Sequence, residues 1–550
     1  MKKLTDTAER YMSAVSTSWL GPSSKTSLYL LVSVAFIAVA TAGNTFVRQG
    51  QLTAWEAAKA ITFIEDAPLF STADAPYFLS QASAVIQGEP EHALGKKRVF
   101  PNAVHTGAQE QETGFFGGHA LLPITIGSLS SDAEIPSILR SGNRLIIISS
   151  ALTALSIAMC FAAAGYWLEG AVAGLGGGLS SAFLVRSSIG RIDTDQLNLG
   201  FFYLLFALVI LVGRSNTTRA TLIWSALAGF TSNLFLWWYD QSVMVQIVAI
   251  ALLWALISSQ KNLAVSIVCL VIFLVTSGQT FLNPFDSIYF KESLSQGSFI
   301  YPNTLDTISE IRRISLSQTL VQATGSVAMG FVCLSGLALF AIRHPVLTIT
   351  LAPLIAFGLL NFVIGNRAIF YSAPILWFGA AFLMTTTARF IINSISQTTR
   401  TTPQQQHASI LAASLAMIIA WVSSPTHYLP KPSFPKPVLE GLASLEESTE
   451  PDNSVVVTWW DYGYASMLFN QLPTLHDGGT QIGPTTHFVA SALLRPDQKE
   501  TVGVLQFLAT AGHAGIRSHN SSTALHNSFN RPPKGPVPDI YLVLTNQMAG

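Results

Sequence analysis

The feature that most constrains this 550-residue chain is a series of eleven apolar runs, most of them near the length of a bilayer crossing. They lie near residues 27–46, 144–165, 167–185, 198–213, 220–238, 242–258, 263–280, 325–342, 346–364, 369–388 and 408–423. Charged residues make up only 11% of the chain and are sparsest across residues 144–424. This composition argues against a soluble multidomain enzyme and excludes a disordered chain. Since 30 basic and 30 acidic residues cancel, nothing in the net charge points to nucleic acid.

The loop charges predict which side of the membrane each loop faces. If the N-terminus is cytoplasmic, the loops on that side carry six basic residues and one acidic residue, as the positive-inside rule requires. These residues are Glu169, Arg214, Arg219, Lys261, Arg343, Arg389 and Arg400. Nearly every acidic residue of the membrane region then falls on the outer face. The predicted domains are a transmembrane domain over 1–424, with outer loops 47–143 and 281–324, and an extracytoplasmic domain over 425–550.

The last 126 residues, 425–550, read as a mixed α/β soluble domain behind a Pro-rich linker, 423–438. S-V-V-V-T-W-W (454–460) and P-D-I-Y-L-V-L-T (538–545) predict buried strands, and D-G-G (477–479) predicts a turn. The sequence stops directly after the second strand, so we expect this domain to be truncated at Gly550.

Several acidic residues of the predicted outer face are candidates for chemistry. Asp193 and Asp195, in I-G-R-I-D-T-D-Q-L-N (189–198), stand two apart, which places both carboxylates on one side of an extended loop, able to share a divalent cation. The simpler interpretation is a solvated loop that caps the next helix. Asp74, followed by Ala-Pro, reads on its own as a helix start, and Glu310 in T-I-S-E as an exposed glutamate.

Two further motifs combine apolar and polar groups. W-W-D-Y-G-Y (459–464) places Trp459, Trp460 and Asp461 at the end of an apolar strand, where indole N–H groups and a carboxylate can hold a small hydroxyl. An aromatic corner of the core is the alternative. Arg367, in G-N-R-A-I-F-Y at the outer mouth of a span, suits a phosphate, with snorkelling to the membrane surface as the alternative.

Taken in order, these motifs resemble the catalytic subunit of N-linked oligosaccharyltransferases, of the single-subunit PglB/AglB type. The matching motifs are Asp74, R-x4-R-x-D-x-D from Arg186 to Asp195, T-I-x-E from Thr307 to Glu310, G-N-R with Arg367, and W-W-D-Y-G from Trp459 to Gly463. The implied fold is a polytopic α-helical membrane protein of 11–13 spans with a C-terminal mixed α/β domain. The implied reaction is metal-dependent and inverting, and transfers an oligosaccharide from a polyprenyl-diphosphate donor to Asn of N-x-S/T sequons.

The resemblance also implies a role for each candidate residue. Asp74, Asp193, Asp195 and Glu310 would hold Mg²⁺ or Mn²⁺, and Asp74 and Glu310 would also accept hydrogen bonds from the acceptor amide. Trp459, Trp460 and Asp461 would bind the sequon hydroxyl, and Arg367, Arg186 and Tyr464 the donor diphosphate. Family habit further implies a monomeric, single-subunit enzyme in a bacterial inner membrane, with its active site facing the periplasm.

One departure from the family pattern and several alternatives remain at this stage. Where relatives that demand an acidic residue at sequon position −2 carry an arginine, this chain has Gln322, which predicts a relaxed requirement. Another polytopic glycosyltransferase that uses lipid-linked sugars, O-linked or lipid-modifying, would keep the outward carboxylates but has no use for W-W-D-Y-G. A secondary transporter would carry mid-span charges and internal repeats, which the sequence lacks. A pseudoenzyme would keep the motifs without activity.

Overall fold

The computed structural model describes residues 27–89, 98, 100–101, 119–278, 295–296, 299–300, 313–395, 402–445, 453–481, 483–533 and 535–548. The helices of the membrane region are α1 (Ser27–Ala57), α2 (Lys59–Thr62), α3 (Ala75–Gln87), α4 (Leu121–Leu129), α5 (Ile135–Ala163), α6 (Trp167–Gly178), α7 (Ser181–Leu184), α8 (Asp195–Arg214), α9 (Thr218–Trp238), α10 (Ser242–Ser258), α11 (Leu263–Ser277), α12 (Leu316–Thr324), α13 (Val327–Arg343), α14 (Pro345–Thr350), α15 (Ala352–Ile364), α16 (Ile369–Ile395) and α17 (Thr402–Ser423). Short antiparallel pairs join β1 (Phe63–Ile64) to β2 (Ala67–Pro68) and β3 (Ser295–Gln296) to β4 (Phe299–Ile300).

Each of the eleven predicted apolar runs is helical, which confirms the fold class of a polytopic α-helical membrane protein. Within the described ranges, six helices are long and apolar enough to cross a bilayer, or seven if α12 and α13, bent by 84°, form one broken span. The runs at 242–258 and 263–280 form helices of only 17 and 15 residues. Length and composition therefore support fewer crossings than the eleven predicted.

The glycine-rich run at 167–185 is a buried interior segment, broken at residues 179–180 into α6 and α7. From Leu168 to Gly178 every residue of α6 is buried. A Cβ atom at Gly170 or Gly174 would lie 2.7 Å from a backbone carbonyl oxygen of α5. Glycine is required there because the two helix backbones approach too closely for a side chain.

The C-terminal region contains the predicted mixed α/β elements. They are α18 (Lys436–Ser444), β5 (Ser454–Val457), α19 (Gly463–Asn470), α20 (Pro484–Leu493), α21 (Gln498–Arg517), α22 (Ser522–Phe529) and β6 (Asp539–Leu542). Both predicted strands form and pair in parallel, with Val456 opposite Tyr541. β5 is buried as predicted, whereas β6 is partly exposed, so the prediction that it is buried was wrong: only one edge of it is covered by β5. The predicted turn at 477–479 also forms, closed by a bond from Thr480 N–H to the Asp477 carbonyl.

The Pro-rich linker packs against the membrane region. Trp55 of α1 donates an indole hydrogen bond to the Pro430 carbonyl at 3.0 Å, and the Ser433 N–H donates to the Phe70 carbonyl at 2.9 Å. Phe70 is almost fully buried and meets Phe434 edge to face at 5.7 Å. These contacts join the linker to the first outer loop, and so place the C-terminal region over one end of the helix bundle.

Candidate functional site

Arginines and a buried carboxylate meet at the end of the bundle that faces the C-terminal region. The loop that follows α7 carries Arg186, whose Nη1 donates to Asp195 Oδ2 at 2.9 Å. Arg367, in the turn before α16, places Nη2 3.8 Å from the other carboxylate oxygen of Asp195. Asp195 is 2% exposed, whereas Arg367 is 48% exposed. The structure thus brings three predicted site residues together, and Arg367 is the one that presents a charge to solvent.

Buried polar side chains hold this loop in place. Arg48 of α1 is fully buried and donates to the carbonyls of Ser187, at 3.2 Å, and Gly178, at 3.0 Å. Asn143 of α5 accepts a hydrogen bond from the Gly190 N–H at 2.8 Å. Because these bonds satisfy backbone groups inside an apolar bundle, they favour one loop conformation.

Asp193 lies in the same loop, and its environment disfavours a bare carboxylate. The side chain is buried and accepts a hydrogen bond from the Thr194 hydroxyl at 3.2 Å. Burial, and then the nearby charge of Asp195, raise the pKa of Asp193. A buried pair of carboxylates is stabilised when a cation lies beside it.

Asp74 reaches this region through the backbone of the first outer loop. Ser71 donates from its N–H to the Gly190 carbonyl at 2.9 Å and from its hydroxyl to the Ile189 carbonyl at 3.1 Å. Asp74 directly precedes α3, as the helix-start interpretation predicts, but its side chain makes no capping hydrogen bond. A Cβ atom on Gly478 would lie 3.4 Å from Asp74 Oδ1, so the carboxylate faces the D-G-G turn of the C-terminal region.

The predicted metal site is only partly visible. In the described ranges, no three Asp, Glu, His or Cys side chains are grouped as ligands of one ion. Glu310, the fourth predicted ligand, lies outside the described residues. The metal site therefore stays a prediction. It rests on the burial of Asp193 and Asp195 in one loop, and on the hydrogen bonds from Ser71 to that loop, which bring the Asp74 segment near it.

The W-W-D-Y-G motif forms the turn between β5 and α19. The rings of Trp459 and Trp460, both half-buried, lie 6.3 Å apart at 48°. Trp460 Nε1 is buried and has no hydrogen-bond partner within the described part of the chain. Burial raises the pKa of Asp461 to about 6. The motif thus combines an unused indole donor with a carboxylate that is poorly solvated.

His476 supports this motif and was missed by sequence reasoning. It is fully buried, with Nε2 2.7 Å from the Thr458 carbonyl and Nδ1 3.1 Å from the Thr486 hydroxyl. Its ring meets Trp459 edge to face at 6.1 Å. Burial lowers the pKa of His476 to about 4, so the ring is neutral near pH 7. Its position directly before D-G-G was the only signal in the sequence.

Tyr464 and Gln322 complete the set of predicted residues. Tyr464 is buried, its ring lies 5.0 Å from that of Tyr77, and its hydroxyl lies 3.5 Å from Arg98 Nη2. Burial and then the charge of Asp477 raise the pKa of Tyr464 well above its usual value. Gln322 is half-buried on α12. Sequence reasoning missed Arg98 and gave Asp477 only a turn-forming role, although both contribute to the wall of this site.

Comparisons with known proteins agree with this geometry. Residues 452–524, which include W-W-D-Y-G, match the family described as the STT3/PglB/AglB core domain. The chain is 26% identical over 283 residues to the undecaprenyl-diphosphooligosaccharide–protein glycotransferase of Campylobacter jejuni (strain RM1221), a match that covers 50% of this chain and 38% of that protein. It is also 24% identical over 163 residues to the dolichyl-phosphooligosaccharide-protein glycotransferase of Methanocaldococcus jannaschii, covering 29% and 17% of the two chains. The matched region thus spans less than half the length of either relative.

Solved structures show the same fold. The oligosaccharyltransferase AglB of Archaeoglobus fulgidus, in complex with an inhibitory peptide and a dolichol-phosphate, aligns over 90% of this chain and 68% of its own, with a TM-score of 0.58 and 13% identity. The same archaeal enzyme tethered to an acceptor peptide containing the NVT sequon aligns over equal shares, with a TM-score of 0.57 and 13% identity. The predicted resemblance to catalytic subunits of the PglB/AglB type is confirmed.

Proposed function

We propose, from the premise that this chain is a relative of the oligosaccharyltransferase catalytic subunits, that it transfers an oligosaccharide from a polyprenyl-diphosphate donor to Asn of N-x-S/T sequons. The proposal rests on one observation, which is that the predicted site residues of the C-terminal region lie close to those of the membrane region. The W-W-D-Y-G turn, within the matched core domain, lies on the same side of the bundle as Asp74 and the Arg186–Asp195 loop. The proposed acceptor site and the proposed donor site therefore lie at the same end of the helix bundle, which we call the rim.

Residues of the C-terminal region would bind the acceptor. Trp460 Nε1 can donate to the hydroxyl of the sequon Ser or Thr, because no described group already accepts its proton. Asp461, as a carboxylate, can accept from the same hydroxyl. Trp459 would exclude water from this pair of hydrogen bonds, with its ring held by His476.

Residues of the membrane region would bind the donor. Arg367 is the half-exposed cation at the rim, and its guanidinium can neutralise charge that develops on the diphosphate leaving group. Arg186 is paired with Asp195 and holds the geometry of that loop. Apolar side chains such as Ile148, Leu152 and Leu155 are exposed on α5, as a lipid-facing surface requires.

The acidic residues fit a hard divalent cation, because the donor set is entirely oxygen and two of its members, Asp193 and Asp195, are buried in one loop. Asp74, Asp193, Asp195 and Glu310 would hold Mg²⁺ or Mn²⁺, which when bound would offset their mutual repulsion and supply electrostatic stabilisation to the leaving diphosphate. Asp74 and Glu310 would accept hydrogen bonds from the two amide protons of the acceptor Asn. Such bonds would twist the amide and free its nitrogen lone pair for back-side attack. The new C–N bond would form as the anomeric C–O bond to the diphosphate breaks, which would invert that carbon, and one of the two carboxylates would take the displaced amide proton.

The proposal extends to location and assembly. We place the protein in a bacterial inner membrane as a monomeric single-subunit enzyme, with the rim facing the periplasm. The charge distribution of the loops supports this orientation.

The test is incubation of the purified full chain with a lipid-linked oligosaccharide, Mn²⁺ and an N-x-T peptide, followed by mass spectrometry. We expect a glycopeptide that is absent with EDTA and in Asp74→Ala or Glu310→Ala, and present in Glu56→Ala, a matched control that removes an exposed carboxylate of α1. A Q-x-T peptide should not react. Transfer to Ser or Thr, or to a lipid, would favour another glycosyltransferase, and a folded protein that binds donor without turnover would identify a pseudoenzyme.

A further inference from the structure

Arg98, in the first outer loop, forms a buried ion pair with the C-terminal region. Its Nε lies 2.6 Å from Asp477 Oδ2 and its Nη2 2.9 Å from Asp477 Oδ1, so the guanidinium binds the carboxylate with two parallel hydrogen bonds. The two side chains are 14% and 0% exposed. A bidentate pair shielded from water fixes both the distance and the orientation of its partners.

The guanidinium also contacts two aromatic rings from different parts of the chain. Its Cζ lies 5.3 Å from the ring centre of Tyr77 and 5.5 Å from that of Tyr464. Tyr77 stands on α3, three residues after Asp74, and Tyr464 directly follows W-W-D-Y-G. Arg98 therefore joins α3, which begins directly after Asp74, to the proposed acceptor-binding motif.

Asp477 shapes the turn that faces Asp74. Its Oδ1 accepts hydrogen bonds from the Gly479 N–H at 2.9 Å and from the Thr480 hydroxyl at 3.3 Å. A Cβ atom on Gly478 would lie 2.8 Å from the Tyr464 ring, and one on Gly479 would lie 2.8 Å from the Tyr464 hydroxyl. The two glycines are therefore needed because the turn packs directly on Tyr464.

These contacts leave Arg98 unsuited to binding a diphosphate itself. Its Nε and Nη2 groups are committed to Asp477, and breaking a buried pair leaves one uncompensated charge. The guanidinium is instead placed to hold other groups in position.

We propose that Arg98 is a positioning residue for the transferase site, holding the Asp477–Gly479 turn and Tyr464 in register with Asp74. The proposal rests on the proposed function, since the geometry it maintains is that of the acceptor amide between Asp74 and the W-W-D-Y-G motif. Loss of Arg98 should lower the rate of transfer more than it weakens recognition of the sequon hydroxyl, because Trp460 and Asp461 make no described contact with Arg98.

The kinetic test compares Arg98→Ala, Arg98→Lys and the exchange Arg98→Asp/Asp477→Arg with the unsubstituted chain. We expect Arg98→Ala to lower kcat on the order of 100-fold, the effect of misplacing reacting groups by about 1 Å, with peptide KM changed less than about threefold. Arg98→Lys and the exchange should recover part of kcat, and the preference for N-x-T over N-x-S should stay constant. Arg495→Ala, which removes the ion pair with Glu500 elsewhere in the C-terminal region, is the matched control. A folded Arg98→Ala protein with kcat within twofold of the unsubstituted chain would overturn the proposal.

A second measurement does not depend on activity and separates this proposal from the proposed function. The three native cysteines are buried, so a cysteine introduced as Ala73→Cys, beside Asp74, can be labelled selectively with a maleimide. In this background, Arg98→Ala should raise the labelling rate at least tenfold, and Arg495→Ala should not. Equal labelling rates would overturn the positioning role even if the chain is an active transferase. Faster labelling in an inactive chain would leave the positioning role standing while the proposed function failed.

Discussion

Asp461 gives the sharpest prediction, because its environment predicts opposite effects on recognition and on stability. Burial raises the pKa of this carboxyl from 3.8 to about 6. If ionised Asp461 accepts the sequon hydroxyl, its ionised fraction sets the apparent affinity for the acceptor peptide. With a pKa of about 6, that fraction is about 90% at pH 7 and about 9% at pH 5. Peptide KM should therefore rise about tenfold between these two values, whereas a carboxyl of pKa 3.8 would stay about 94% ionised at pH 5.

The assay is the peptide KM of purified protein at half-unit steps from pH 5 to pH 8, at saturating donor, with Asp461→Asn as the comparison. The variant should have a raised KM that no longer varies with pH, because its amide does not titrate. Other carboxylates, Asp193 among them, are present in both proteins, so their titration cancels when the two pH profiles of KM are compared. A KM that is flat with pH in the unsubstituted chain, or equally pH-dependent in Asp461→Asn, would refute the reasoning.

The raised pKa of Asp461 also determines how the stability of the protein depends on pH, and proton linkage gives the sign of this effect. Because the folded state binds this proton more tightly than the unfolded state, the free energy of unfolding falls as pH rises from about 4 to about 6 and then stays level. Asp461→Asn should therefore unfold at a higher temperature than the unsubstituted chain at pH 7. A lower unfolding temperature would mean that the carboxylate already has a stabilising partner.

Three further predictions test other parts of the site. Arg48→Met should lower the unfolding temperature, since each buried carbonyl left without a partner costs about 1–3 kcal/mol. It should also lower kcat, because the loop that carries Arg186 loses its hydrogen bonds to Arg48. Thermal unfolding and kinetics measured in the same detergent check both effects. Gln322→Arg should introduce a preference of about tenfold for Asp over Ala at sequon position −2, measured with paired peptides, whereas the unsubstituted chain should accept both. The folded pKa of His476, about 4, means that the unfolded state takes up a proton first as pH falls. Its contribution to stability should be complete above pH 6.5 and lost toward pH 4, and His476→Gln should remove this slope in denaturation experiments.

Local sequence patterns were enough to predict the helices and the D-G-G turn, because both depend on short-range features. Every apolar run became helical, and both predicted strands of the C-terminal region paired. The number of crossings was less predictable, because hydropathy does not distinguish a helix in lipid from one inside the bundle. The run at 167–185 shows this, since Gly170 and Gly174 lie within an apolar run yet serve to bring α6 against the backbone of α5.

The partners that support the site could not be predicted, because they depend on contacts between distant segments. Arg98 and Asp477 are 379 positions apart, and neither residue belongs to a recognisable motif with the other. Arg48 likewise reads as an isolated charge in an apolar helix until the carbonyls of Gly178 and Ser187 are seen beside it. Motif residues that are proposed to contact substrate can be found from local sequence, whereas the residues that set their geometry are found only in three dimensions.

This difference changes how the acidic residues should be interpreted. The helix-start interpretation of Asp74 was correct for the backbone, since α3 begins at the next residue, but it left no purpose for the carboxylate. Because that side chain makes no cap and faces the D-G-G turn, its position is set by the C-terminal region as well as by its own helix. Any account of the proposed transferase site that treats the membrane and C-terminal regions as independent would therefore place Asp74 wrongly. The labelling of Ala73→Cys measures how far the two regions depend on each other.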